Sequence, residues 1–365
     1  MNVSLVKLLL EPACTTDLGL SDWDTLIPQA RNANLLASLG VLLEERGLLA
    51  QIPAEVQRHL VSAIHAWNKQ RDGLQYELRW LQRALTEAGV PLTVLKGAAY
   101  AAAGLRAGRG RLMSDIDLLV PAARIADVEA ALQHHGWTSA ELDPYDERYY
   151  RQWMHEIPPL GHPRRGSTLD VHHTIIPPTA HRNVDADKLF AATVEVAPGV
   201  RVLGATDMVI HSATHLFHEG EFGHGLRDLW DLHQLMCEFG AQDAGFWDAL
   251  TRRATELDLA DPLYYGMRYA NRCFGTPVPD AALHADIRSR RSTTPIAVMD
   301  FLFDRVFVPD HPDCLLPGTA LARQCLYVRS HYLRMPLHLL LPHLARKAWM
   351  GIYPPAAPVD ADTSA

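Results

Sequence analysis

Apolar positions recur at three- and four-residue steps through SDWDTLIPQARNANLLASLGVLLEERG and PAEVQRHLVSAIHAWNKQRDGLQYELRWLQRALTEAG, and each run stops at glycine. The spacing predicts helices across residues 21–88, with Ser21 and Asp24 as a capping box in which Asp stands for Glu. From Pro91 the rhythm changes. PLTVLK is short, β-branched and apolar, and is followed by Gly97, an alanine-rich helical stretch and the loop RAGRGRLMS. DIDLLV alternates acidic and apolar residues, and a helix from Ala122 to His135 closes at Gly136. HEIPPL and STLDVHHT flank the turn GHPRRG as a hairpin, and VEVAPGVRVLG makes a second about Pro198-Gly199. Beyond Ala205 helical spacing returns in TDMVIHSATHLFHEG and LRDLWDLHQLMCEFG, then at roughly 244–259, 261–274 and 319–353.

The expected class is α+β: a small mixed sheet flanked by N-terminal and C-terminal helical regions. The chain divides into an N-terminal helical region (1–88), an α/β core (89–203), a helical domain (204–310) and a C-terminal basic helical segment (311–365). The last part ends in a disordered tail, PPAAPVDADTSA. A length of 365 residues suits more than one such unit. With 48 % hydrophobic residues the composition is that of a folded chain, and 42 acidic against 34 basic residues exclude a broadly basic nucleic-acid binder. No double-stranded nucleic acid is therefore expected as a partner. The N-terminal apolar run lacks a basic flank and a cleavage site, and nothing approaches the roughly 18 apolar residues of a membrane span. Five widely spaced cysteines without a C-x-x-C pair fit reduced thiols, so a cytoplasmic setting is expected.

Strand alternation places Asp115 and Asp117 on one face, with Ile116 and Leu118 towards the core. Paired carboxylates repel unless a cation lies between them. Magnesium takes one or two carboxylates together with substrate phosphates. A third acid, Asp170, stands between Leu169 and Val171 on a strand expected to lie alongside, and three such acids can hold two ions for an in-line phosphoryl displacement. An Asp-x-Asp pair alone would equally suit a solvated strand edge. The context shifts the balance. Leu95-Lys96-Gly97-Ala98 marks a strand-to-helix turn able to receive phosphate, and an arginine-glycine loop (Arg106, Gly108, Arg109, Gly110, Arg111) suits triphosphate oxygens. Lys96, Gly97, Arg111 and Ser114 are the candidate nucleotide or phosphate contacts. His172 shares the strand parity of Asp170 and could orient it or an acceptor, whereas His173 faces away.

LKGAAYAAAGLRAGRGRLMSDIDLLV followed by LDVHHTI resembles the uncharacterised nucleotidyltransferase family of the DNA polymerase beta-like superfamily, and LRDLWDLHQLM at 226–236 is similar to its downstream helical segment. The resemblance spans roughly residues 25–260. It implies a mixed sheet, magnesium dependence (two ions, with Mn2+ as a substitute), and transfer of a nucleoside monophosphate from an NTP, ATP foremost, to a hydroxyl acceptor with pyrophosphate leaving. By position Asp115, Asp117 and Asp170 would be the catalytic and metal-binding residues, with Asp170 helping to activate the acceptor hydroxyl. One departure is visible: many superfamily members carry a serine after the glycine turn, where this chain has Gly97-Ala98.

His211, His215 and His218 fall on one helical face, with His224, Asp228, Asp231 and His233 following. Such spacing can hold a metal, as in a phosphohydrolase, or line the nucleotide cleft as a polar seam. His215, Asp228 and Asp231 are candidate acceptor or cleft residues on the second reading. A catalytically inactive nucleotide-binding protein is the further alternative. The stretch 319–353 contains no acid and is the best candidate for a peripheral membrane or partner contact, although Pro336 and Pro342 interrupt it.

Overall fold

A computed structural model describes residues 4–139, 142–182, 184–218, 220, 222–284 and 295–352. The tail at 354–365 lies outside them. Helices α1 (Leu5–Leu10), α2 (Leu20–Asn32), α3 (Leu36–Glu45) and α4 (Ala54–Glu87) form the N-terminal region. The expected capping box is displaced. Helix α2 starts after Gly19, whose N–H donates to the Asp22 carboxylate at 3.0 Å, so Asp22 rather than Asp24 satisfies the first turn. The first periodic run is two helices, broken where Asn34 takes a left-handed φ of 55°. Helix α4 has 34 residues, about 50 Å of rod. Its apolar stripe (Val56, Leu60, Ile64, Leu74, Leu78, Leu81, Leu85) packs on α3 and then reaches the sheet.

The α/β region runs β1 (Leu92–Val94), α5 (Lys96–Ala102), β2 (Ile116–Leu119), α6 (Ile125–His134), β3 (Thr138–Ser139), α7 (Pro144–Trp153), β4 (Leu160–Gly161), β5 (Thr168–His172), α8 (Ala186–Ala191), β6 (Val194–Ala197) and β7 (Val200–Val202). Their order in the seven-stranded sheet is β3-β4-β5-β2-β1-β7-β6. The sheet is mixed: β2 runs parallel to β5 and antiparallel to β1, and both expected hairpins, β4-β5 and β6-β7, are antiparallel. Its central strands are apolar on the packed face, with Leu92, Val94, Leu118, Leu169 and Val171 at most 1 % exposed, the burial that makes a short mixed sheet stable.

Helices α9 (Ala205–His218), α10 (Gly225–Gln242), α11 (Phe246–Glu256), α12 (Ala260–Phe274), α13 (Asp280–His284), α14 (Ile296–Phe303), α15 (Thr319–Arg334) and α16 (Leu337–Ile352) follow. Helices α9, α10 and α12 pack on one another, and α5 rests on α9, which brings the helical region against the start of the sheet. Buried side chains from Leu5 to Leu326 form one continuous cluster. Helix α15 packs on α14 and α9, and the Arg329 side chain donates to the Phe217 carbonyl at 2.7 Å. Leu321, Val328 and Tyr332 stay exposed on its outer side. Two of the basic residues nearby are paired with acids, Arg323 with Asp310 and Arg346 with Asp143. Among the described residues no helix is long and apolar enough to cross a membrane.

Candidate active site

The parallel register of β2 and β5 sets Asp117 directly beside Asp170, and by the same register Leu119 beside His172. Asp115 immediately precedes β2. Pleating therefore gives Asp115, Asp117, Asp170 and His172 a common face while Ile116 and Leu118 are buried beneath. The expected convergence of the acids is seen at the backbone level. Their carboxylates are not drawn to one point, however: Asp117 is held by Lys96 and His172, and Asp115 by Ser114.

Asp117 is 3 % exposed. Its Oδ1 accepts from the Lys96 ammonium at 2.7 Å and lies 2.9 Å from His172 Nε2. Burial alone would raise the Asp117 pKa, but the Lys96 charge and the His172 hydrogen bond hold it well below the usual carboxylate range. Burial likewise opposes the Lys96 charge, and Asp117, with Glu156 and Asp115 behind it, outweighs that and raises the ammonium above its ordinary value. Lys96 achieves this reach from a left-handed backbone, φ 47°, between β1 and α5, a conformation that costs a non-glycine residue on the order of 1–3 kcal/mol. Asp170 is the opposite case. Burial, then the charges of Glu156, Asp117 and Asp115, push it up to about 7, and its Oδ1 is buried without a hydrogen-bond partner.

Gly97 is needed for a steric reason. A Cβ there would overlap the Arg111 guanidinium and stand 2.7 Å from Met113 Cγ. Arg111 thus crosses directly over the glycine turn. Its Nε donates to Asp231 Oδ2 at 2.6 Å, its Nη2 lies 3.9 Å from Asp228, and its guanidinium sits over the Tyr100 ring. Asp228 is shared with Arg227 at 2.6 Å. The two acids read as cleft residues therefore hold Arg111, and burial opposed by Arg111 leaves Asp231 at about 6. Ser114 Oγ donates to Asp115 Oδ2 at 3.0 Å. The loop before β2 is fixed by Gln70 of α4, whose Oε1 accepts from the Met113 N–H at 2.8 Å. The Arg106 backbone N–H donates to Glu238 Oε2 at 2.9 Å, and the Arg109 side chain turns away to Glu45.

Beside Asp115 a cavity of about 430 Å³ opens between α4, this loop and the turn into β5; Gln70, Tyr76, Ser114, Arg165 and Thr168 are among its walls. Arg165 is neutralised by Glu77 at 2.9 Å, while its Nη2 and Ser167 Oγ have no hydrogen-bond partner.

The histidine-rich helices behave as a seam. His211 and His215 are within electrostatic reach of Lys96 and Asp117, and burial pulls both below the ordinary imidazole range, His211 to about 3. His218 turns away to the Thr214 carbonyl, and His233 pairs with Thr276. His224 is exposed at the start of α10. Among the described residues, these histidines and Asp228 and Asp231 do not gather as a ligand set. The set that does is His155, Glu156 and His172. His155 and Glu156 were not singled out in the sequence; the signal was the predicted hairpin itself, since HEI pairs antiparallel with the end of β5 through an Ile157 N–H to Val171 carbonyl bond and a Glu156–His172 bridge.

A mixed sheet with acids on neighbouring central strands, a glycine turn beneath them and flanking helices defines a nucleotidyltransferase-type core. The chain belongs to the uncharacterised nucleotidyltransferase family, whose sequence model matches residues 20–275. The match takes in α2–α12 and the sheet, and stops before α13–α16. No curated protein and no solved structure matches the chain.

Proposed function

We propose that this protein is a magnesium-dependent enzyme that transfers a nucleoside monophosphate from an NTP, ATP foremost, to a hydroxyl acceptor (a small molecule, a sugar or a protein) and releases pyrophosphate. The observation that carries the reading is the Asp117–Asp170 pairing on adjacent strands, with Asp115 one step before. A cation fits the donor set: three hard carboxylates share one face, and a buried Asp170 oxygen has no partner. Asp115, Asp117 and Asp170 would hold magnesium, with manganese as a substitute, and the ions supply charge neutralisation for the triphosphate.

The remaining work falls to the chain's own groups. Lys96 offers a cation beside Asp117, placed to meet a phosphate oxygen, and Gly97 leaves room for the backbone and Arg111 to approach. Ser114 orients Asp115. The acceptor hydroxyl attacks the α-phosphorus, forming one P–O bond as the bond to the β-phosphate oxygen breaks, and the leaving pyrophosphate takes that electron pair. Asp170 takes the hydroxyl proton as general base. The cavity beside Asp115 is where the acceptor enters. Its Glu77–Arg165 pair is neutral, and its hydroxyl and amide walls favour an uncharged hydroxylated group.

The phosphohydrolase reading loses ground because Asp228 and Asp231 are committed to Arg111. The test is pyrophosphate release from Mg-NTP by wild type, Asp115→Asn and Asp117→Asn, with circular dichroism to check folding. Loss of release in both folded variants supports the reading. Undiminished release in both refutes it.

A further inference from the structure

The geometry points to a second cation site, formed by His155, Glu156 and His172, that takes a divalent transition-metal ion such as zinc, cobalt or manganese. One donor atom from each of the three lies within 4.8 Å of the others. His172 Nδ1 stands 3.3 Å from Glu156 Oε2. Two ligands on a tetrahedral ion with bonds of about 2.0–2.1 Å stand about 3.3 Å apart, so these atoms already occupy an edge of that polyhedron.

The placement of His172 sharpens the case. Its Nε2 lies 2.9 Å from Asp117 Oδ1, while its Nδ1 is turned towards a carboxylate oxygen of Glu156. An Asp–His pair behind a ligand is also how metal-binding imidazoles are oriented.

His155 supplies an independent sign. It is only 8 % exposed, its Nδ1 is buried with no hydrogen-bond partner, and its ring centroid is 5.1 Å from that of His172. Two imidazoles and a carboxylate are a donor set for zinc-like ions rather than for magnesium, which takes oxygen. Three protein ligands leave a further position for water or substrate. The surroundings are rich in carboxylates: Asp117, Glu156 and Asp115 all lie within electrostatic reach of the Lys96 ammonium. The site adjoins the Asp115-Asp117-Asp170 set through the His172–Asp117 contact, and it stands whether or not nucleotidyl transfer is the reaction.

The test uses the full chain, stripped with chelator and titrated with Co2+ in excess Mg2+, read by the visible ligand-field bands of low-coordinate cobalt and confirmed by Zn2+ content. Wild type is expected to bind an equimolar ion. His155→Gln and Glu156→Gln abolish the bands, Asp115→Asn keeps them, and Asp117→Asn weakens affinity about 10–100-fold as an orienting partner. Should a ligand variant fail to fold, wild type carries the test through ring 15N shifts of His155 and His172, which move together on Zn2+ addition. Absence of Co2+ and Zn2+ binding in wild type, binding undiminished in both ligand variants, or ring shifts that do not respond would overturn the site.

Discussion

Arg111 is held by Asp231 beside the glycine turn, and that pairing has a measurable size. Asp231→Leu keeps the approximate volume and removes the carboxylate, leaving a guanidinium whose side chain is 11 % exposed. Removing one partner of a buried ion pair costs about 3–5 kcal/mol, because the other charge is left uncompensated. Asp228, 3.9 Å away and shared with Arg227, offsets part of the loss, so the lower end, about 3 kcal/mol, is expected. For 365 residues, unfolding entropy of about 2.1 cal/mol/K per residue converts this to a fall in Tm of about 4 °C. Asp228→Ala, which removes the weaker and more exposed partner, should cost about 0–1 kcal/mol. The double variant Arg111→Met, Asp231→Leu should recover most of the stability, since an apolar pair replaces a charged one at little cost. Differential scanning calorimetry on the four proteins decides it. A Tm for Asp231→Leu equal to wild type, or a double variant no better than the single one, would show that Arg111 does not depend on this pairing.

Gly97→Ala should lose about 1–3 kcal/mol, since the new methyl meets Arg111 and Met113 and forces both to move; thermal melting checks the stability, and a weakened NTP affinity by calorimetry checks the link to the phosphate turn. Acid stability follows from His218 and His233, both buried and lowered by desolvation, to about 3 and about 4. The unfolded chain binds protons at these rings below about pH 6.5 while the folded chain does not, so their stability contribution is complete above that pH and is lost as pH falls. At pH 5.5 each ring should cost about 1.4 kcal/mol. Denaturant midpoints at pH 7.5 and 5.5 measure it, and a pH dependence unchanged in His218→Gln and His233→Asn would contradict it.

Much of this site was visible along the chain because it is local. The alternation of Asp115-Ile116-Asp117-Leu118 and of Leu169-Asp170-Val171-His172 fixes which side chains share a face, and β2-β5 pairing in parallel makes the faces one. The two hairpins announced themselves through their turns. Long-range pairing left no such trace. Asp231 meets Arg111 across 120 positions, and nothing in either local pattern chooses that acid over its neighbours. Lys96 was a candidate from its place at the strand-to-helix turn, but its left-handed backbone, from which it reaches Asp117, has no mark in the local pattern. His155 and Glu156 sat in a predicted strand of the right hairpin; only the register against the end of β5 turns them from strand residues into neighbours of His172. The misplaced helix start has a simpler cause, since glycine can cap through its backbone and Asp22 stands three residues beyond Gly19.

Nucleotidyl transfer is tested most directly by following two labels through one incubation. The protein is given Mg-ATP labelled on the α-phosphate, or in parallel on the γ-phosphate, together with extract as a source of acceptors. The account predicts α-label on an acceptor and γ-label in pyrophosphate, with both signals lost in Asp117→Asn. Release of γ-label as single phosphate, or transfer of γ-label to the acceptor, would contradict it.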